Sequence, residues 1–288
     1  MLVLLALCCT AGRPPGGADT APDPGGSATA CNGHDELCER RLDAVTFAGT
    51  HNSMSNADAG WMIPNQQHGL TRQLEDGIRA LMLDTYEYNG EPYLCHASCE
   101  LGAQPLAEGL DEIAAFLDTH PREVVLVIFE DHIPVEDTVA VFDAVGLTDR
   151  TWAWDGGTMP TLGQLVAEDR RLVIGAENSG PPPDWYHAAW DLFFDTPYDF
   201  WDATEFSCEL NRGSVDNPLF LVNHWLSDPL SDESNAEEVN QADVLESRAR
   251  RCAEEQGHPV NFLAVDFYAV GDLFEVVDRL NGFGTPSP

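Results

Sequence analysis

Five apolar runs in this chain end in side chains that can move protons or hold a hard cation. They close on Thr50-His51-Asn52, on Asp84, on Glu130-Asp131-His132, on Asn223-His224 and on Asp266. Imidazoles titrate near neutrality and suit acid–base work. Carboxylate and amide oxygens suit a hard cation. A solvated loop residue explains any one of these groups, but a core has no need of polar groups repeated at the ends of its apolar runs. They lie far apart in sequence, so the fold must gather them.

The elements that would do so alternate. Residues 44–48, 80–85, 124–129, 172–176, 219–223 and 262–267 read as buried strands. Between them, 110–117, 135–145, 162–168 and 242–255 carry apolar residues at helical spacing, and 273–280 closes the chain. Alternating strand and helix argues for a parallel sheet, and 288 residues favour a single-domain α/β fold of the TIM-type (β/α) barrel kind. Six strands are clear, so the barrel is expected to be irregular or incompletely closed, with short strands in the Trp-rich stretch 185–201. In such a barrel the C-terminal strand ends converge on one mouth.

Composition removes several function classes. The formal net charge is −35 and every basic residue is Arg, which excludes an electrostatic grip on nucleic acid and any lysine Schiff base. An anionic lipid surface repels such a chain unless cations or a local Arg cluster offset the charge. Residues 2–9 form an apolar run too short to span a bilayer, followed by a Gly/Pro/Ala/Asp-rich stretch. Residues 1–30 therefore read as a signal peptide and disordered linker, and 31–288 as the barrel domain, secreted or at the cell surface. Cys8 or Cys9 would be the lipid acceptor of a lipoprotein, although Leu7 and Cys8 are not the small residues a lipobox prefers. The six remaining cysteines suit three disulfides. Sequence order suggests Cys31 with Cys38, Cys95 with Cys99 and Cys208 with Cys252, among fifteen pairings. A zinc site lacks a CxxC pair.

Several strings resemble those of the phosphatidylinositol-specific phospholipase C X-domain family. Phe47-Ala48-Gly49-Thr50-His51-Asn52-Ser53 is similar to its opening motif, and Gly77-Ile78-Arg79-Ala80-Leu81-Met82-Leu83-Asp84-Thr85-Tyr86 to its second-strand motif. Leu94-Cys95-His96, Val127-Ile128-Phe129-Glu130-Asp131 and Ala264-Val265-Asp266-Phe267-Tyr268 match later signatures. The likeness runs from about Asp43 to Gly282 and is greatest to the secreted, cysteine-bearing phospholipase C-like phosphodiesterases. The resemblance implies a phosphoric diester hydrolase in which His51 is the base, His96 the acid and Asp266 the carboxylate orienting His51.

The same resemblance places Asn52, Asp84 and Glu130 where calcium-dependent members hold their metal, so Ca²⁺ is the expected cofactor, with Mg²⁺ or Mn²⁺ as alternatives. Met82 departs from the pattern, standing where those relatives commonly carry a glutamate. Arg79 and His224 are the candidate substrate-binding residues. An inositol phospholipid is the expected substrate, with peripheral membrane contact and a monomeric chain. Alternatives are a glycerophosphodiester phosphodiesterase or a sphingomyelinase D-like enzyme on the same barrel, whose usual Glu-x-Asp is broken by Met82-Leu83-Asp84, or a degenerate secreted binding protein.

Overall fold

A computed structural model describes residues 29–227 and 232–284. The leader and linker read over 1–30, with Cys8 and Cys9, lie outside the described residues apart from Thr29 and Ala30. The strands are β1 (Phe47–Thr50), β2 (Ala80–Tyr88), β3 (Glu91–Cys95), β4 (Ala103–Pro105), β5 (Val125–Asp131), β6 (Leu172–Ala176), β7 (Tyr186–Ala188), β8 (Phe193–Asp195), β9 (Leu219–His224) and β10 (Phe262–Val265). The helices are α1 (Leu70–Asp76), α2 (Leu106–Thr119), α3 (Val135–Val145), α4 (Leu162–Ala167), α5 (Ala189–Leu192), α6 (Glu233–Val239), α7 (Ala242–Gln256) and α8 (Leu273–Leu280).

Eight of these strands pair in the order β7-β6-β5-β2-β1-β10-β9-β8, every pair along that path parallel. The curled sheet is a TIM-type barrel left open between β7 and β8, which only the single turn of α5 joins. The two short strands at that seam fall in the Trp-rich stretch.

Period-two alternation divides the strand residues into two cores. Phe47, Met82, Ile128, Val173, Leu221 and Ala264 belong to the inner one. Leu81, Val127, Ile174, Val222 and Val265 belong to the outer one, beneath helical residues such as Leu110, Ile113, Leu245 and Val276. The inner core is close-packed: a Cβ on Gly49 would sit 2.1 Å from the Phe262 ring, so β1 tolerates no side chain there.

One excursion leaves the β/α rhythm. Asn89 and Gly90, both at positive φ (56° and 84°), turn β2 into an antiparallel hairpin with β3. Its register sets Thr85 opposite Leu94, which returns Cys95-His96 to the level of Asp84. The described disulfides are Cys31–Cys38, Cys95–Cys99 and Cys208–Cys252, the pairing that sequence order suggests.

Candidate active site

The inward parity of each strand continues into the residue that follows it at the mouth. His51, Asp84, Glu130, Asn223 and Asp266 stand two or four residues beyond inner-core positions and so share one face of the curled sheet. A cavity of about 400 Å³ opens there, lined by His51, Asn52, His96, Glu130, Trp225 and Asp266 among others.

His51 is held on every side. Its backbone N–H donates to Val265 O at 3.0 Å, its Nδ1 lies 2.9 Å from Asp266 Oδ1, and the Trp225 indole stacks on its ring at 3.8 Å and 5°. Asp266 also accepts from Asn65 Nδ2, at 3.2 Å to each carboxylate oxygen. Gln66 Nε2 donates to the carbonyls of His51 and Val265 at 2.7 and 3.0 Å, tying β1 to β10 above their last pair. Asn52 and Phe267, the residues following His51 and Asp266, both sit at positive φ (44° and 47°). Backbone strain of this kind, most unusual for a bulky residue such as Phe267, concentrates where geometry must be over-determined.

His96 arrives by the hairpin. Its Nδ1 is 3.2 Å from Asp84 Oδ2. The hydrogen bond to Asp84 raises the His96 pKa above the ordinary imidazole value, against the opposing effect of burial. Burial pushes the Asp84 carboxyl up, and the charge of Glu130, paired with it in register across β2 and β5, adds to the rise while His96 opposes it. Two acidic groups crowded this way favour a cation between them.

The donor set fits a hard cation in part. Asp84 uses one oxygen on His96, and Glu130 one on His132 Nε2 at 2.8 Å, so each keeps its second oxygen outside those bonds. The Asn52 amide is buried with its Nδ2 unpartnered. Met82 stays in the inner core and offers no oxygen. Among the described residues no cluster of three or more His, Cys, Asp or Glu forms a metal cage, so a cation here would need the Asn52 amide oxygen, substrate oxygens and water.

Two expected substrate contacts are elsewhere. Arg79 immediately precedes β2, at the barrel's opposite end, where its Nε donates to Glu123 at 2.6 Å and its guanidinium lies 4.6 Å from the Phe116 ring centre. His224 has outward parity, with Val222, and is fully buried beneath the helices. It is 2.9 Å from Val239 O through Nε2 and near Arg248 through Nδ1, and burial pushes its pKa down to about 3, so it is neutral. Neither reaches the cavity.

Sequence reading missed part of the mouth. Glu177 follows β6 and Asp195 ends β8, both inward by the same parity, and Arg212 from the β8–β9 loop donates to the two of them at 2.6–2.9 Å. Glu177 obeys the strand-end rule that flagged Asp84. Arg212, Asn65 and Gln66 sit in loops, where no periodicity marks them. A larger groove, about 1050 Å³, runs outside β1 between α1 and α8. Its basic side chains Arg72, Arg79, His34 and His68 are all paired with carboxylates.

The family model PI-PLC X 1 matches residues 37–281. The chain belongs to the PI-PLC X family. It is 29% identical over 275 residues to PI-PLC X domain-containing protein 1 of Arthroderma benhamiae, covering 88% of this chain and 89% of that protein. It is 30% identical over 270 residues to a PI-PLC X domain-containing protein of Arabidopsis thaliana, covering 84% of this chain but 62% of that longer one. Among solved structures, a phosphatidylinositol-specific phospholipase C from Staphylococcus aureus superposes with a TM-score of 0.56 at 13% identity, covering 87% of this chain and 95% of that one. That likeness is of fold: the PI-PLC barrel.

Proposed function

We propose that this chain is an exported phosphoric diester hydrolase that cleaves a phospholipid, an inositol phospholipid first among candidates, by acid–base catalysis between His51 and His96. The observation carrying the reading is the placement of two imidazoles, each on its own carboxylate, at one cavity. With Nδ1–H donated to Asp266, His51 keeps its Nε2 lone pair for a proton. It takes that proton from the hydroxyl next to the phosphodiester, and the hydroxyl oxygen forms a bond to phosphorus. The bond from phosphorus to the lipid alkoxide breaks, and protonated His96 supplies the proton the alkoxide takes. A cyclic phosphate results, which water opens with the two imidazoles in reversed roles. Asp84 favours the protonated form of His96 that this step requires.

Asn52, Asp84 and Glu130 would hold Ca²⁺, which would lend positive charge to the phosphoryl oxygens. Peripheral contact with a lipid surface is supported by the rim: Met62 and Trp201 are 60% and 57% exposed, and their neighbours Ile63 and Tyr198 line the cavity. Export is supported by the three disulfides and by an Arthroderma benhamiae relative, 28% identical over 286 residues, whose name is uncharacterized secreted protein.

The test is turnover on phosphatidylinositol, glycosylated inositol lipids, sphingomyelin and glycerophosphodiesters, with and without EDTA. Phosphatidylinositol cleavage is expected, with His51→Ala folded and slower by about two orders of magnitude or more. EDTA is expected to abolish turnover and Ca²⁺ to restore it. Full activity of His51→Ala sinks the mechanism, and full activity in EDTA sinks the cation, leaving Arg212, whose guanidinium lies 4.8 Å from the ring centre of cavity-lining Tyr198, as the candidate positive group in place of Arg79.

A further inference from the structure

We propose that the Cys95–Cys99 disulfide is a positioning device for the acid of the reaction, closing residues 95–99 into a ring that fixes where the His96 imidazole meets the leaving group. The inference rests on the acid–base reading of His51 and His96 and names what that reading still lacks: a reason for His96 to stay in place.

The two imidazoles are restrained very differently. The His51 side chain is 19% exposed, bonded to a buried carboxylate and covered by an indole. The His96 side chain is 42% exposed, and among the described residues its ring makes one hydrogen bond, 3.2 Å to Asp84, and stacks on no aromatic ring. One long hydrogen bond restrains a half-exposed ring weakly against rotamer change, so its placement leans on the backbone that carries it.

That backbone is a tight loop at the end of β3. Ala97 sits at φ 56°, and Ser98 N–H folds back onto His96 O at 2.5 Å. Cys95 is fully buried in the hairpin opposite Ala103, whereas Cys99 is partly exposed in the loop. The disulfide therefore anchors the exposed half of the loop to its buried half, with His96 inside the five-residue ring that it closes. Beyond it the chain is pinned again at Gly102, where a Cβ would fall 2.2 Å from the Trp61 ring. Opening the disulfide frees the residues between these pins, and with them the imidazole. A shift of about 1 Å in a reacting group costs up to two orders of magnitude in rate.

The experiment compares the full-length chain with C95S/C99S and with C31S/C38S. The latter bridge lies at the opposite end of the barrel, where Asn32 caps Val124 and Cys31 packs with Leu37 and Val45. For C95S/C99S, kcat is expected to fall about 10- to 100-fold with KM within about threefold, while C31S/C38S keeps kcat per folded molecule. Imidazole NMR, with His96 assigned by its loss in His96→Gln, should show the His96 ring moving to solvent-averaged shifts only in C95S/C99S. An unchanged kcat, or an equal fall in both double variants, overturns the proposal. If the wild-type chain turns over no phosphodiester, the acid–base reading fails by itself. The NMR comparison then still decides the positioning claim, an unchanged His96 signal overturning it. Should C95S/C99S fail to fold, Cys99→Ser alone opens the ring from its exposed side and yields the same measurements.

Discussion

At the residue scale, the stack of Trp225 on His51 separates two things an active imidazole needs. Asp266 sets the tautomer through Nδ1, but one hydrogen bond leaves the ring free to tilt; a near-parallel indole at 3.8 Å removes that freedom. Trp225→Leu is therefore expected to lower kcat about tenfold, and Trp225→Phe to recover most of the loss, since a phenyl face restores the stack. Steady-state kinetics on the two variants checks this, and a leucine variant at the wild-type rate would show the stack to be incidental. His224, one residue earlier, is expected to act on stability instead, because strand parity turns it the other way.

At the element scale, β9 shows what that parity costs. His224 is neutral in the fold, its pKa pushed down to about 3 by burial and then by Arg248, whereas in the unfolded chain it titrates near 6.5. The sign follows: below 6.5 the unfolded chain binds a proton that the folded chain refuses, so stability falls as pH drops towards 3, by about 1.4 kcal/mol per pH unit. In urea titrations between pH 6.5 and 4.5, His224→Gln should show a dependence shallower by one proton than wild type; an equal slope would place the acid sensitivity elsewhere. The same element explains how much was legible beforehand. Strands buried on both faces are continuous apolar runs, so β6 is read to the residue, as are α3 and α8. The first strand is read early, over 44–48 against Phe47–Thr50, because a 3-10 turn at Leu42–Ala44 carries apolar residues into the sheet. The β3–β4 excursion is missed because Glu91 and Pro92 look unlike a strand, although Asn89-Gly90 marks its turn. Strand ends reveal His51, Asp84, Glu130 and Asp266, and parity would also have separated Asn223 from His224 and retained Glu177. Asn65, Gln66 and Arg212 are set by loop geometry, which leaves no periodic trace.

At the scale of the whole molecule, the charge of −35 bears on how the mouth would approach the lipid proposed as its substrate. All 14 basic residues are arginines, and many of those described are already neutralised, including Arg72, Arg79, Arg150, Arg212 and Arg279. The field outside the chain is therefore negative, and a bilayer rich in anionic lipid repels it over about a Debye length, some 30 Å at 0.01 M salt and 8 Å at 0.15 M. Attraction to the proposed lipid surface would then have to come from apolar contact, which Met62, Ile63, Tyr198 and Trp201 offer around the cavity and which salt does not screen. The two terms differ in salt dependence, and this reverses the usual behaviour of a peripheral protein. Adsorption to anionic vesicles should strengthen as NaCl rises from about 0.01 to 0.15 M, while adsorption to zwitterionic vesicles stays nearly constant. Trp201→Ala should weaken both by a similar factor, because it removes the unscreened contribution. Vesicle sedimentation measures all three quantities. Weaker binding to anionic vesicles at higher salt would mean that a local arginine cluster at the rim, rather than apolar contact, draws the protein to the surface.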